Sequence, residues 1–392
     1  VRYEGSAPGR AGRGGASRVQ RFEPLGEVRK TLQIPWYRCP IDRAVLKELT
    51  TRSDLRGAAQ VGGFVLLLAA LGAATWYLAG LRVWGWFAAS LFAYGTVSSF
   101  IAGHATHELS HGTVFRTRWL NDVLLRFFSL VSWNNPHDFK MSHTYHHLYT
   151  LHRRGDREVV LPSNPNLDPW FLLQLLTVNV VGGKGEPYSY PMTRGIGETV
   201  KLAFTGTHHR EWEEAVYADQ PAERRRAVAF ARFTLLFHAA LVATSIAFGL
   251  WLLPVLVTLA PFIANWLRYF VAVPMHTGLM DEVSDFRLCV RTITLDPVSS
   301  FLYWHMNWHL EHHMFAAVPC YNLARMHRTV ASDMPKPRTL VGAWREMRET
   351  WRRQQREPGY QFETPLPGRG RAKRGQDPYA GSLGDLDPRR ME

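Results

Sequence analysis

Long apolar segments constrain what this chain can fold into. Residues 57–81 are 25 consecutive residues without a charged side chain, and residues 83–103 form a second such run of 21. Between residues 227 and 275 the only charged side chains are Arg232 and Arg268. A helix needs about 20 residues to cross a hydrocarbon layer of about 30 Å, so the third region is long enough to cross it twice.

These segments predict an all-α integral membrane protein with four transmembrane helices in two hairpins. The spans are expected at about residues 58–80, 82–103, 227–248 and 250–273. Two shorter apolar runs are expected to lie in the membrane interface. Residues 119–133 place their apolar side chains on one helical face, and residues 168–181 are too few to cross the bilayer.

The membrane domain is expected to occupy residues 21–335. Residues 1–20 are rich in Gly, Arg, Ser and Ala without apolar periodicity, and they are predicted to be disordered. Residues 336–392 are predicted to form a cytoplasmic C-terminal tail that is partly disordered.

The distribution of positive charge predicts the orientation in the membrane. Residues 1–56 carry twelve Lys or Arg residues, whereas Arg82 is the only charge at the first hairpin turn and the second turn has none. Because Lys and Arg are retained in cytoplasmic loops, both turns are predicted to face outward and the termini to face the cytoplasm. The net charge of +13 fits such loops better than nucleic-acid binding, since no recognition motif accompanies it. The excess of Arg over Lys is typical of a GC-rich genome and favours a bacterial inner membrane.

Three histidine clusters form the candidate site. They are His107-Glu-Leu-Ser-His111, His143-Thr-Tyr-His146-His147 and His309-Leu-Glu-His312-His313. The spacing places the histidines of each cluster on one helical face, where neutral imidazoles can bind a metal. Eight imidazoles exceed what one tetrahedral or octahedral ion can hold, so the pattern predicts two metal ions. Two predicted spans separate the second cluster from the third, so all three are expected in one helical cap on the cytoplasmic side.

These clusters resemble the three histidine boxes of the membrane fatty acid desaturase and hydroxylase superfamily, which surround a non-haem di-iron centre. The resemblance runs from about residue 57 to residue 327 and includes the segments after the first and third boxes, His111-Gly-Thr-Val-Phe115 and His313-Met-Phe-Ala-Ala-Val-Pro319. The family often has one more ligand before the last box, and the resemblance implies that His276 is this ligand. The implied ligand set is therefore His107, His111, His143, His146, His147, His276, His309, His312 and His313. His104 is an extra histidine outside the family pattern, and no role is assigned to it.

Further polar residues are candidates to support these ligands. Metal-bound imidazoles are normally oriented by hydrogen bonds to acceptors outside the ligand set. The acidic candidates for this role are Glu108, Asp156, Asp296 and Glu311. Asn265, in the predicted fourth span, is a candidate to hold a water molecule bound to the metal.

The resemblance implies an O2-dependent oxidoreductase that introduces a double bond into a fatty acyl chain of a membrane lipid. The cofactor would be two Fe ions and the co-substrate O2. A zinc hydrolase needs only three protein ligands and an open position, so nine histidines argue against it. A hydroxylase or monooxygenase of the same superfamily, acting on an alkyl, carotenoid or other lipid substrate, is the alternative. A metal transporter is more remote, because transporters place ionisable groups along a path within the membrane.

The electrons for this reaction are expected from another protein. The chain contains no GxGxxG fingerprint, no CxxC pair and no His-Pro-Gly-Gly segment of a fused cytochrome b5 domain. Its three cysteines are scattered, which also argues against a disulfide framework. A ferredoxin, rubredoxin or cytochrome b5-like donor with its reductase is therefore the expected partner.

Overall fold

The structure is a computed structural model that describes residues 23–161, 163–183 and 188–367. The predicted disordered segment, residues 1–20, and the end of the predicted tail, residues 368–392, lie outside the described residues. The described chain is mostly helical. Its two short strands, β1 (Ile293–Thr294) and β2 (Arg338–Thr339), pair in parallel.

The α-helices of the described residues fall into two halves. Those before the third long apolar segment are α1 (Leu25–Thr31), α2 (Arg43–Leu49), α3 (Asp54–Gly80), α4 (Trp84–Ser98), α5 (Thr106–Ser110), α6 (Arg118–Val131), α7 (Pro136–Tyr149), α8 (Pro169–Leu176), α9 (Met192–Thr205) and α10 (Glu211–Val216). Those within that segment or after it are α11 (Pro221–Phe248), α12 (Leu252–Pro254), α13 (Trp266–Ala272), α14 (Phe286–Cys289), α15 (Pro297–Leu302), α16 (His309–Met314), α17 (Leu323–Val330) and α18 (Leu340–Gln354).

Three helices in the described residues are long and apolar enough to cross a membrane. They are α3, the helical segment Trp84–Ser110 and α11. Large apolar side chains on them lie exposed, including Leu66, Trp86 and Ile246, each more than two-thirds accessible. Apolar surface of this extent is what a lipid environment would cover. Three of the predicted spans therefore exist as helices, and the protein is a membrane protein.

The second of these helices is sharply kinked just before the first histidine box. A π-helical turn, Ile101–Ala105, joins α4 to α5, and within it Ala102 and Gly103 leave the helical conformation. Gly103 has φ +80°, in the left-handed region that glycine adopts without strain. The kink changes the direction of the chain immediately before α5, which carries His107.

The fourth predicted span is not a single helix. After α12 the chain forms a π-helical turn, Val255–Leu259, and a 3-10 turn, Ala260–Phe262, before it becomes extended at Ile263 and resumes as α13. Proline at 254 and 261 explains the break, because proline lacks an amide hydrogen and clashes with the preceding turn. The prediction of four continuous transmembrane helices is therefore not confirmed.

The broken segment is embedded in the protein rather than exposed to lipid. The Tyr94 hydroxyl donates to the carbonyl of Leu256 at 2.6 Å, and the Thr96 hydroxyl donates to that of Ala264 at 3.1 Å. Gly95 lies between these two donors, and any side chain there would collide with Ile263. Irregular backbone at membrane depth is tolerated where neighbouring protein satisfies its polar groups, and α4 does so here.

The segment that follows residue 335 packs against the membrane domain. Helix α18 buries Ala343, Met347 and Thr350, and the Trp344 indole donates to the carbonyl of Phe270 at 2.8 Å. The apolar residues of this helix recur at helical spacing, which gives it a face that must be buried. The described part of the predicted tail thus contains a helix that packs on the preceding residues.

Candidate metal centre

Each histidine box lies on a short helical element. The first box is on α5 and ends at His111. The second lies in the C-terminal half of α7, and the third begins α16. Pro136 opens α7, and the Asn135 side chain caps it by accepting from the amide of residue 137 at 3.1 Å. Outside the boxes, His276 follows a 3-10 turn, Val273–Met275, that continues α13.

The structure brings all nine sequence-predicted ligands into two adjacent groups. In each group the candidate ligand nitrogens lie within 4.8 Å of one another. The larger group, which we call the first cluster, contains His107, His111, His143, His147 and His312. The smaller, called the second cluster, contains His146, His276, His309 and His313. Each could hold a metal ion, and boxes two and three contribute to both.

The imidazoles converge through their Nε2 atoms. In the first cluster the Nε2 of His147 lies 2.9 Å from that of His143 and 3.2 Å from that of His312. In the second cluster the Nε2 of His309 lies 3.1 Å from those of both His276 and His313. Two ligands at right angles around one ion, with bonds of about 2.1 Å, would lie about 3.0 Å apart. The donor set therefore fits one ion in each cluster.

Three carboxylates fix the orientation of ligand rings by accepting from Nδ1. His146 Nδ1 lies 2.8 Å from Asp156 Oδ2, and His107 Nδ1 lies 3.0 Å from Glu108 Oε1. Both acids are fully buried, and both were expected in this role. Glu158, which the sequence did not single out, lies 3.2 Å from Nδ1 of His143.

Two uncharged groups act in the same way on the second cluster. His276 Nδ1 donates to the carbonyl of Cys289 at 3.0 Å, which leaves its Nε2 without a proton. The Thr150 hydroxyl donates to the carbonyl of His146 at 2.6 Å, so its oxygen is available to accept from His313 Nδ1 at 3.1 Å. Both histidines are thereby held in the tautomer that directs a lone pair towards His309.

The other proposed supporting residues lie elsewhere. Glu311 accepts from the Thr292 hydroxyl and contacts His327 Nδ1, each at 2.5 Å, on the far side of α16. Asp296 caps the N-terminus of α15. Asn265 is buried against the carbonyl of Tyr190, to which it donates at 3.4 Å, and it does not border the cavity that reaches the histidines.

Burial keeps most of the ligands neutral. It lowers the pKa of His111, His147, His309, His312 and His313 well below the ordinary value, and neighbouring histidines lower it further. Burial, with a smaller effect of His146, lowers the pKa of His276 to about 3. Neutral imidazole is the form that binds a metal.

His146 departs from this pattern. Burial alone would lower its pKa, but the adjacent Asp156 carboxylate, together with Glu158, more than offsets that effect and the pKa is raised above the ordinary value. A carboxylate on Nδ1 also increases the basicity of the ring as a ligand. Asp156 therefore fixes the orientation of the His146 ring and makes the ring a stronger metal ligand.

His104 is buried beside the clusters without belonging to either. Its ring packs 4.8 Å from that of Tyr303, and its Nδ1 has no hydrogen-bond partner among the described residues. It lies three residues before His107, on the same side of the bend at Gly103, but its nitrogens do not belong to either group of candidate ligands. The tertiary structure thus distinguishes His104 from the box histidines where sequence spacing did not.

A cavity of about 230 Å³ reaches both clusters. Histidines of both clusters border it, namely His107, His143, His146, His276 and His309. The remaining walls come from α7, α9, α10 and α13 and carry aromatic, methionine and charged side chains. A small molecule in this cavity would lie directly against the predicted metal positions.

The sequence missed Glu158, Thr150 and the Cys289 carbonyl. Glu158 stands two residues after Asp156 in an acidic turn beyond box two, and this local spacing could have suggested it. The other two are a hydroxyl and a backbone carbonyl, which carry no pattern of their own. Only the packing of α7 and α14 against the histidines identifies them.

Sequence comparison supports the same conclusion as the geometry. A family model described as fatty acid desaturase matches residues 82–344, more than half of the chain. The matched region contains all nine histidines of the two clusters. Comparison with curated proteins gives no match.

Proposed function

Since this chain belongs to the fatty acid desaturase family, we propose that it is an O2-dependent membrane desaturase that introduces a double bond into a fatty acyl chain of a lipid. The observation that carries the proposal is the pair of histidine clusters bordering one cavity. A desaturase needs a strong oxidant beside a bound C–H bond, and this arrangement offers two metal positions beside a space for substrate.

The metal ions in this proposal are two irons, one in each cluster. The first cluster would hold its ion through five imidazoles and the second through four. With O2 and two electrons, such a pair supplies the oxidising power to remove hydrogen from an unactivated C–H bond. An all-imidazole set distinguishes this centre from the soluble ferritin-like di-iron proteins, whose ligands are mainly glutamates.

The chain's own residues contribute orientation and exclusion of water. Asp156, Glu158 and the Cys289 carbonyl hold ligand protons on Nδ1, so that each Nε2 remains available. All the histidines that border the cavity are buried, which keeps bulk water from the reaction. Electrons would come from an external ferredoxin, rubredoxin or cytochrome b5-like protein with its reductase. The positive charge of the chain suits an acidic donor.

The site is proposed to face the cytoplasm of a bacterial inner membrane. Since His146 and His276 belong to one cluster, the chain between them must cross the membrane an even number of times. Helix α11 supplies one crossing, and the broken segment from α12 to α13 is the candidate for the return. The twelve basic residues before residue 57 favour the cytoplasmic side for the N-terminus.

Hydroxylation by the same centre is the second candidate reaction. The ligand set suits both outcomes, since the reactions share the first hydrogen abstraction. Metal transport is disfavoured because His238, the histidine within α11, is held by contacts inside the protein. Its Nε2 lies 3.1 Å from the carbonyl of Leu130, and its ring stacks on Trp133 at 3.9 Å. These contacts bind it into the protein rather than leave it on an ion path.

Expression in a host of known lipid composition tests this function. Mass spectrometry of total lipid extracts should reveal a product two hydrogens lighter than its precursor, and the His312→Ala variant should form none. A product heavier by one oxygen would replace desaturation with hydroxylation. Unchanged lipids, with both metal positions filled and a donor supplied, would contradict the proposal.

A further inference from the structure

Arg268 is a charged residue in the midst of an apolar region. It lies on α13, in the segment predicted to form the fourth span, and it borders the cavity that reaches both clusters. Ionisable groups within membrane segments are costly to bury, so each needs a compensating partner. The partners of this guanidinium therefore indicate what the cavity is built to hold.

The protein supplies only uncharged partners to Arg268. Its Nε donates to the carbonyl of Ala102 at 3.3 Å, and its Nη1 donates to that of Tyr188 at 3.1 Å. The guanidinium also lies 5.5 Å from the centre of the Tyr190 ring. No carboxylate of the described residues forms an ion pair with it. Two carbonyls and a ring face orient the positive charge but do not neutralise it.

The remaining nitrogen of the guanidinium makes no hydrogen bond to the described residues. Nη2 lies beside Gly103, where an added side-chain carbon would be 3.3 Å from it. The absence of a side chain at Gly103 gives the guanidinium room at the cavity wall, one turn before His107. Arg194 borders the same cavity and adds a second positive charge.

The acidic residues of the cavity are engaged with other neighbours. Glu213 pairs with Arg210 at 3.0 Å, and Glu198 pairs with His209 at 3.1 Å. Asp138 accepts from the Tyr217 hydroxyl at 2.6 Å. Glu158 accepts from the Ser142 hydroxyl at 2.6 Å and contacts His143. None of these carboxylates is paired with Arg268, so its positive charge has no ion-pair partner among the described residues.

We propose that Arg268 binds an anionic oxygen group of the substrate, a carboxylate or a phosphate, inside the cavity. The inference rests on the proposed function, in which the same cavity receives the C–H bond to be oxidised. A guanidinium with a free edge suits such oxygens because its N–H groups match their spacing. The substrate of this enzyme is therefore an amphiphile with an ionised head, not a neutral hydrocarbon.

Arg268 shares its cavity with the candidate metal ligands. The guanidinium and five ligand histidines border one cavity of about 230 Å³. An anionic group held at Arg268 would therefore lie in the same cavity as the part of the substrate that is oxidised.

Direct binding tests the proposal without requiring turnover. Short probes of equal chain length are added to the detergent-purified protein, and dissociation constants are measured by calorimetry at pH 7.5. The probes are hexanoate, hexyl phosphate, the neutral hexanamide and the cationic hexylamine. Hexanoate or hexyl phosphate should bind at least about tenfold more tightly than hexanamide, and the stronger of the two identifies the head group. Equal binding of hexanamide, or tightest binding of hexylamine, would overturn the proposal.

Variants assign the effect to this arginine. Arg268→Gln keeps a donor but removes the charge, and it should weaken binding of the preferred anion by about ten- to a hundredfold while leaving hexanamide unchanged. Arg268→Lys should weaken binding of the preferred anion less, because it keeps the positive charge. The matched control is Arg232→Gln, since Arg232 also donates to a carbonyl, that of Ala203 at 2.9 Å, but does not border the cavity. Anion binding that survives in Arg268→Gln would overturn the assignment.

If Arg268→Gln fails to fold, Arg268→Lys replaces it: because lysine lacks the paired N–H groups of arginine, this variant should bind the preferred anion more weakly than the unaltered protein and hexanamide equally well, and unchanged anion binding would overturn the assignment. The result is also separable from the proposed function. Anion binding without any oxidised product would leave the subsite in place and count against the desaturase. Oxidation of neutral hydrocarbons alone would support an oxidative function and count against the anion subsite.

Discussion

His276, which lies outside the three histidine boxes, directs its Nε2 at the Nε2 of His309 from a distance of 3.1 Å. Its Nδ1 donates to the Cys289 carbonyl, so the ring is held with its lone pair facing the second cluster. This cluster would have three histidines without it, and the first has five. The near-equal division of ligands between two metals, five and four, depends on this one residue.

Removal of His276 should therefore empty the second cluster. Elemental mass spectrometry of anaerobically purified protein should give two irons per chain in the unaltered protein, and one or fewer in His276→Ala. His104→Ala is the matched control, because His104 is equally buried nearby but belongs to neither cluster, and it should retain two irons. Two irons in His276→Ala would exclude it as a ligand, and a single zinc in the unaltered protein would contradict the di-iron assignment.

Asp156 should tune the affinity of the second cluster for its metal. Asp156→Asn removes the negative charge of the carboxylate that accepts from His146 Nδ1. Loss of such a partner typically weakens metal binding by about 10- to 100-fold. Competition with a chelator measures this change. Asp296→Asn serves as the control, since asparagine caps a helix as well as aspartate does and Asp296 is exposed and belongs neither to the clusters nor to the cavity wall. Equal iron affinity in Asp156→Asn would show that Asp156 has only a structural role.

Labelling of introduced cysteines should reveal the topology. The native cysteines are buried, so they contribute little background. Exposed positions replaced one at a time are Gly249, Ala218 and Gln355. In intact cells an impermeant thiol reagent should reach only the cysteine at position 249, and all three should react after lysis. Labelling at 218 from outside would reverse the proposed orientation, and opposite results at 218 and 355 would mean that the broken segment does not return across the membrane.

Asp138 should make stability depend on pH. Burial raises its pKa from 3.8 to about 7, although the Tyr217 hydroxyl opposes the shift. The facing charged and titratable groups are Glu198, Glu213, Arg224 and His208. Because the folded protein holds this proton more tightly than the unfolded chain, its stabilising effect is complete below about pH 4 and is lost as pH rises through 7.

Asp138→Asn removes this titration and keeps an oxygen that can accept from Tyr217. The melting temperature of the variant, relative to the unaltered protein, should therefore rise between pH 5 and pH 8. Thermal unfolding in detergent at several pH values measures the difference. A difference that does not change with pH would mean that Asp138 is ionised throughout this range.

The sequence by itself determined the helical class, the membrane setting and the candidate ligands. Uncharged runs longer than 20 residues leave a chain few alternatives to membrane helices, because backbone groups in lipid must be satisfied within the segment. Histidines three and four residues apart share a helical face whatever surrounds them. These features depend on near neighbours along the chain, so they can be read without knowing the fold.

Only the tertiary structure decided how those ligands are divided and what surrounds them. His146 and His147 are adjacent in sequence, but they belong to different clusters, because successive side chains on a helix point in different directions and meet different neighbours. The kink at Gly103, the break before α13 and the two carbonyls that hold Arg268 all depend on contacts between distant segments. Such contacts follow from the packing of whole helices, which local spacing does not specify.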